Sequence, residues 1–196
     1  MVDYVAKSFS ICTSHGRDAH GTVFDDLSIY VIIPKENLRI IIAAEDLLPL
    51  ETSGLEWRFT DDQTNLLPSE ALQQIHPLPI DIIYMIRDKV YFPDSRNQNP
   101  HWQVDGSFDA SAVRDSVEQW LHSQVTDNST RVIVFWWSND AVLTTWDIFC
   151  RYWDNFCYPS SDDVAILPLD EQWEIAYHHE EVFTVLHRIH SDLQDA

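Results

Sequence analysis

Positive charge is scarce in this chain. Lysine and arginine number 12 against 32 aspartates and glutamates, a formal net charge of −20. Nucleic-acid binding needs basic side chains to neutralise phosphates, and an anionic membrane surface makes the same demand. Neither is expected as a partner. A basic protein surface is the natural complement, and charge of this size speeds its capture. Glycine is sparser still, with 4 in 196 residues. The patterns GxGxxG, GxxxxGK[ST] and GxSxG are all missing, so a phosphate-cradling loop is poorly provided for. The three cysteines, Cys12, Cys150 and Cys157, are odd in number and lack CxxC spacing. That argues against a disulfide framework and a zinc knuckle, and for a reducing compartment. No segment reaches the ~20 apolar residues of a membrane helix, and MVDYVAKSFSICTSHGRD has no apolar core for a signal peptide. The expected location is the cytoplasm.

What is present is core material. Apolar residues make up 45% of the chain, aromatics 12%, and tryptophans number 8, enough for one filled domain over 1–196. Residues 1–56 are set apart as a candidate hairpin subdomain. The runs LSIYVII (27–33) and LRIIIAA (38–44) read as two strands joined by PKEN, and LEWRFT (55–60) reads as a short strand. PSEALQQI (68–75) predicts a helix with Pro68 in its first turn, stopped by Pro77 and Pro79. IDIIYMI (80–86) is β-branched and apolar and predicts a buried strand, which DKVYF extends with another. PDSRNQNPHWQVDGS (93–107) reads as a polar loop. Asp109 is placed as the cap of a helix running to about residue 124, with Val113, Val117, Trp120 and Leu121 on one face.

RVIVFWW (131–137) lacks alternation, as a strand covered on both faces does. Val142, Trp146, Phe149, Trp153 and Phe156 then step by 4, 3, 4 and 3, predicting one long helix over 140–157. VAILPL (164–169) and WEIAYH (173–178) flank DEQ as a hairpin, with Trp173, Ile175 and Tyr177 inward. VFTVLHRIH follows as a third strand or a last helix. The fold class is α+β: an antiparallel or mixed sheet with two to three packed helices.

The charge is uneven. Residues 132–187 hold ten acids, and Arg151 is the only base among them. The candidate partner-binding residues are Asp154, Tyr158, Asp162, Asp163, Asp170, Glu171, Glu174, His178, His179, Glu180 and Glu181. Calcium is poorly served there, because no glycine makes the sharp turn of an EF-hand. HHEE (178–181) invites a metal reading, but neighbours on a strand point to opposite faces. HExxH also fails, because Phe183 stands where its second histidine is needed. His187 and His190 converge only on a helix. No metal and no cofactor are therefore expected. His15, Asp18 and His20 could supply a general base, but no motif identifies a nucleophile beside them. Cys150 has no adjacent histidine and reads as a buried structural thiol.

Two stretches, WRFTDDQTNLLPSEALQQIHPL (57–78) and TTWDIFCRYWDNFCYPSSDDVAILPLDEQWEIAYHHEEVFTV (144–185), carry a resemblance. Together they are similar to a family of small, acidic, uncharacterised bacterial proteins. In that family a Trp-rich helix leads through an aspartate-bearing loop into a hairpin. The matching residues are Trp146, Trp153, Asp162, Asp163, Trp173, His178, Glu180 and Phe183. The tail also resembles the ends of several immunity proteins of polymorphic toxin systems. The resemblance and the charge together lead to an expectation of a non-enzymatic toxin inhibitor that occludes a basic active site. The alternatives are a nucleic-acid mimic that inhibits a DNA-binding protein, and a hydrolase using His15/Asp18/His20 or His178/His179. Oligomeric state is left open.

Overall fold

The computed structural model describes residues 42, 47–61, 66–87, 90, 102–136, 140–169 and 173–188. The expected hairpin at 27–44 (apart from Ile42) and the loop bearing His15, Asp18 and His20 lie outside these residues, as do Asp170, Glu171 and His190.

The strands form one antiparallel sheet. β3 (Arg131–Trp136) and β4 (Asp140–Thr145) make a hairpin, and β5 (Val164–Pro168) pairs with the other side of β3. β6 (Trp173–His178) and β7 (Val182–Arg188) follow in chain order. The outer places go to β1 (His76–Pro77), beside β4, and β2 (Trp102–Asp109), beside β7. The spatial order is therefore β1-β4-β3-β5-β6-β7-β2, an α+β arrangement as expected.

The central strands are covered on both faces, and the strand period sorts their side chains accordingly. Val132, Val134, Trp136, Val164, Ile166, Ile175 and Tyr177 join one core. Most of the helices bury their apolar residues in it: α1 (Trp57–Thr60), α2 (Ser69–Leu72), α4 (Arg114–Gln124), α5 (Trp146–Arg151) and α6 (Trp153–Phe156). Ile133, Phe135, Ala141, Leu143, Ala165 and Leu167 join a second core on the opposite face, where α3 (Ile80–Arg87) packs. No helix among the described residues is long and apolar enough to cross a membrane.

Several local expectations are corrected. Residues 80–87 form a helix. Ile82, Ile83 and Ile86 make a helical stripe that enters the second core, while Ile80, Tyr84 and Met85 stay outside. β-Branched content suggested a strand, but periodicity governs. Trp57–Thr60 is a helical turn instead of a strand. The long helix expected over 140–157 divides. Residues 140–145 are β4, and Thr145 Oγ1 then accepts the Ile148 N–H at 3.3 Å to cap α5. Val142 reaches the same core as Trp146 and Phe149, which is why a strand residue extended the helical stripe. Part of the expected loop at 93–107 is β2. Asp109 ends that strand; its Oδ1 accepts the Ser111 N–H and O–H at 2.9 and 2.6 Å, while α4 starts only at Arg114. Val117 and Leu121 are buried as expected, but Val113 is exposed. The tail is a strand, the first of its two offered forms.

Candidate functional site

Two loops meet at one end of the β5–β6–β7 ladder. The first runs from Cys157 to Asp163 and leads into β5. The second, His179–Glu181, joins β6 to β7. Its geometry is a turn closed by the Glu181 N–H on the His178 carbonyl at 2.8 Å, followed by a left-handed residue, Glu181, at φ 63°. That is the three-residue hairpin solution usually completed by glycine. Ser160 in the first loop is also left-handed, at φ 64°. The chain makes both turns with non-glycine residues. The Ser160 N–H donates to the His179 carbonyl at 2.9 Å, fastening the loops together.

Beneath the first loop lies a buried ion pair. Arg58 donates from Nη1 to Asp162 Oδ2 at 2.7 Å and from Nη2 to Oδ1 at 3.0 Å. The guanidinium carbon is 5.0, 5.2 and 4.9 Å from the ring centres of Trp57, Trp136 and Tyr158, so three aromatic rings surround the cation. Asp162 Oδ2 also accepts the Tyr158 N–H at 2.9 Å. The Arg58 carbonyl accepts from Asn155 Nδ2 at 2.9 Å. The bidentate fork, the rings and the backbone donor offset much of the desolvation of the two charges, although Arg58 Nε is buried with no hydrogen-bond partner among the described residues. On top stands Trp57, 50% exposed, its ring centre 5.5 Å from that of Tyr158.

Asp163 turns the other way. Its Oδ1 accepts the His179 N–H at 3.1 Å and lies 2.9 Å from His179 Nδ1. His178 Nε2 is 4.0 Å from the same oxygen, and the two imidazole centres are 4.0 Å apart. The expected divergence of His178 and His179 does not occur, because β6 ends at His178 and His179 belongs to the turn. Strand alternation stops where the strand stops. His187 does lie on a strand, β7, and is 3.5 Å from Asp105; the helix that an H-x-x-H pair needs is not formed there.

The expected acidic face is thinner than the sequence suggests. Asp162 is interior, as described. Glu174 is fully buried, on the face of β6 opposite Ile175 and Tyr177. Asp154 is 2.9 Å from Arg114, and Asp147 is 2.9 Å from Arg151. Tyr158 is half-buried, Asp163, His178, His179 and Glu181 are partly exposed, and Glu180 is exposed. The residues missed from sequence are Arg58, Trp57 and Trp136. Arg58 pairs across 104 positions; the one local sign was a lone base set between aromatics in WRF.

Comparison with protein-family models, curated proteins and solved structures finds no match.

The two described cysteines are not reactive groups. Cys150 and Cys157 are buried and free. Burial pushes both thiols up, and the Asp162 carboxylate adds to this at Cys157. Neither supplies a thiolate nucleophile at neutral pH.

Proposed function

We propose that this protein is an immunity protein, which neutralises a bacterial toxin by binding over a basic active site. The observation that carries this reading is Trp57. A large ring, half in solvent, stands on a firmly held support of Tyr158, Arg58 and Asp162. A rigid aromatic that loses little entropy on contact is the usual centre of a binding hot spot. Carboxylates on the neighbouring loops, Asp163, Glu180 and Glu181, and Glu56 beside Trp57 give the surroundings one sign. The net charge of −20 sets the sign of the partner. On this reading Trp57 and Tyr158 anchor the contact, and the rim acids steer it.

The test is a pulldown from the native cell, followed by a protection assay with the captured protein. Trp57→Ala is expected to weaken binding by roughly 30-fold or more, the cost of losing a hot-spot ring. Charge reversal of Glu180 and Glu181 is expected to slow association at low salt and to matter little at high salt. Capture of no basic protein, or full protection by a folded Trp57→Ala variant, would remove the support for this reading.

A further inference from the structure

We propose that Asp163, His178 and His179 form a binding site for one divalent transition-metal ion, and that zinc is the ion they fit best. The site shares Asp163 with the acidic rim of the toxin-binding reading, but neither its argument nor its test uses that reading. One ligand atom from each of the three residues can be chosen so that all lie within 4.8 Å of one another. Two imidazoles and one carboxylate are a donor set for zinc and its first-row neighbours; calcium and magnesium prefer oxygen alone.

The two distances to Asp163 need little adjustment. Bonds of about 2.1 Å around a tetrahedral zinc place ligand atoms roughly 3.4 Å apart. His179 Nδ1 and Asp163 Oδ1 are 2.9 Å apart, and His178 Nε2 is 4.0 Å from the same oxygen. One pair opens and the other closes, each by about half an ångström or slightly more. The scaffold around them is already tied. The His179 N–H holds Asp163, the Ser160 N–H holds the His179 carbonyl, and the Ala110 N–H holds the Glu181 carbonyl at 2.7 Å.

Tautomers accommodate the ion too. A carboxylate only accepts, so without metal the His179 Nδ1 proton points at Asp163. Zinc takes that proton's place, and His179 keeps an N–H at Nε2, on a side chain that is 41% exposed. His178 Nδ1 now accepts a long 3.3 Å bond from the Glu180 N–H. When Nε2 ligates the ion, Nδ1 carries the proton and gives up the bond from the Glu180 N–H; the Glu180 carboxylate, whose Oε2 is 3.8 Å away, must then close in to accept from it. With that closure Glu180 would be the outer carboxylate that orients a metal-bound histidine. Three protein ligands leave the fourth position to water.

The experiment titrates the untagged, chelator-stripped full chain with zinc chloride and repeats the titration with cobalt(II), whose visible bands report its coordination. One equivalent per chain is expected, with cobalt bands of low-coordinate intensity. Affinity should fall by more than about tenfold in Asp163→Asn and in His179→Gln. His187→Ala should retain the wild-type value, since that histidine faces Asp105 elsewhere. Circular dichroism of the metal-free variants checks the fold; His179→Gln, at a partly exposed turn position, covers the case in which the aspartate variant misfolds. Absence of a saturable equivalent in the wild type, or an unchanged equivalent in folded His178→Ala/His179→Gln, overturns the site.

Discussion

Asp162 and Asp163 are adjacent in sequence and have opposite surroundings. The first is 7% exposed, locked to a guanidinium and ringed by aromatics. The second is partly open to water; its Oδ1 is bonded to His179 in the turn, with His178 Nε2 4.0 Å away. Side chains on successive residues of an extended segment diverge, so the pair splits between interior and surface where the loop enters β5. Charge counting alone treats the two as equal members of an acidic patch. Structurally, Asp162 stabilises the surface from below, while Asp163 is part of that surface.

The sharpest way to break this contrast is to remove the buried partner. Asp162→Ala leaves Arg58 without its counter-charge and is expected to cost about 3–5 kcal/mol in urea unfolding. The double replacement Arg58→Met with Asp162→Leu should cost less than the sum of the two single changes, because no charge is then stranded. Strict additivity would mean that the two do not form a coupled pair. A second effect follows at Cys157, which is buried and within electrostatic reach of this pair. A loss of about 3 kcal/mol raises the opened population roughly a hundredfold. Alkylation of Cys157, followed by peptide mass spectrometry, should accelerate accordingly in Asp162→Ala and stay near wild type in Asp163→Asn. The smallest effect is on the surface side. Asp163→Asn is expected to change stability by less than about 1 kcal/mol, and its consequence should appear in metal affinity instead. A loss as large as that of Asp162→Ala would erase the distinction between the neighbours.

The sheet's centre was readable because apolar runs such as RVIVFW need cover on both faces wherever they sit. The hairpin of β5 and β6 was readable from its turn residues. What failed was assignment where two periods share residues. Val142 fits a helical stripe by number and a strand by pairing with Val134, and only the partner strand decides. The inward set of β6 was right for Ile175 and Tyr177. Glu174 still became interior, because the opposite face of β6 is covered as well. The histidine pair was misjudged through one residue of strand length. The Arg58–Asp162 lock leaves no local periodic trace; its neighbours WRF and SSDD hint at chemistry separately but say nothing of each other.

The position of β2 has a consequence for how the molecule is made. Its residues precede β3 to β7 in the chain, yet it lies beyond β7, with Trp102 opposite Arg188 and Asp109 opposite Val182. A ribosome therefore releases β2 long before its only described strand neighbour exists. The hairpins of β3–β4 and β6–β7 are local and can close early; the outer strand waits for residue 188 and pays a large loop-closure entropy. During that wait an unpaired strand is a template for wrong pairing. Gln103, Asp105, Gly106 and Asp109 make it a poor one. Nascent chains stalled before β7 should thus hold β2 in a protease-sensitive form, with the last strand acting as the clasp of the sheet.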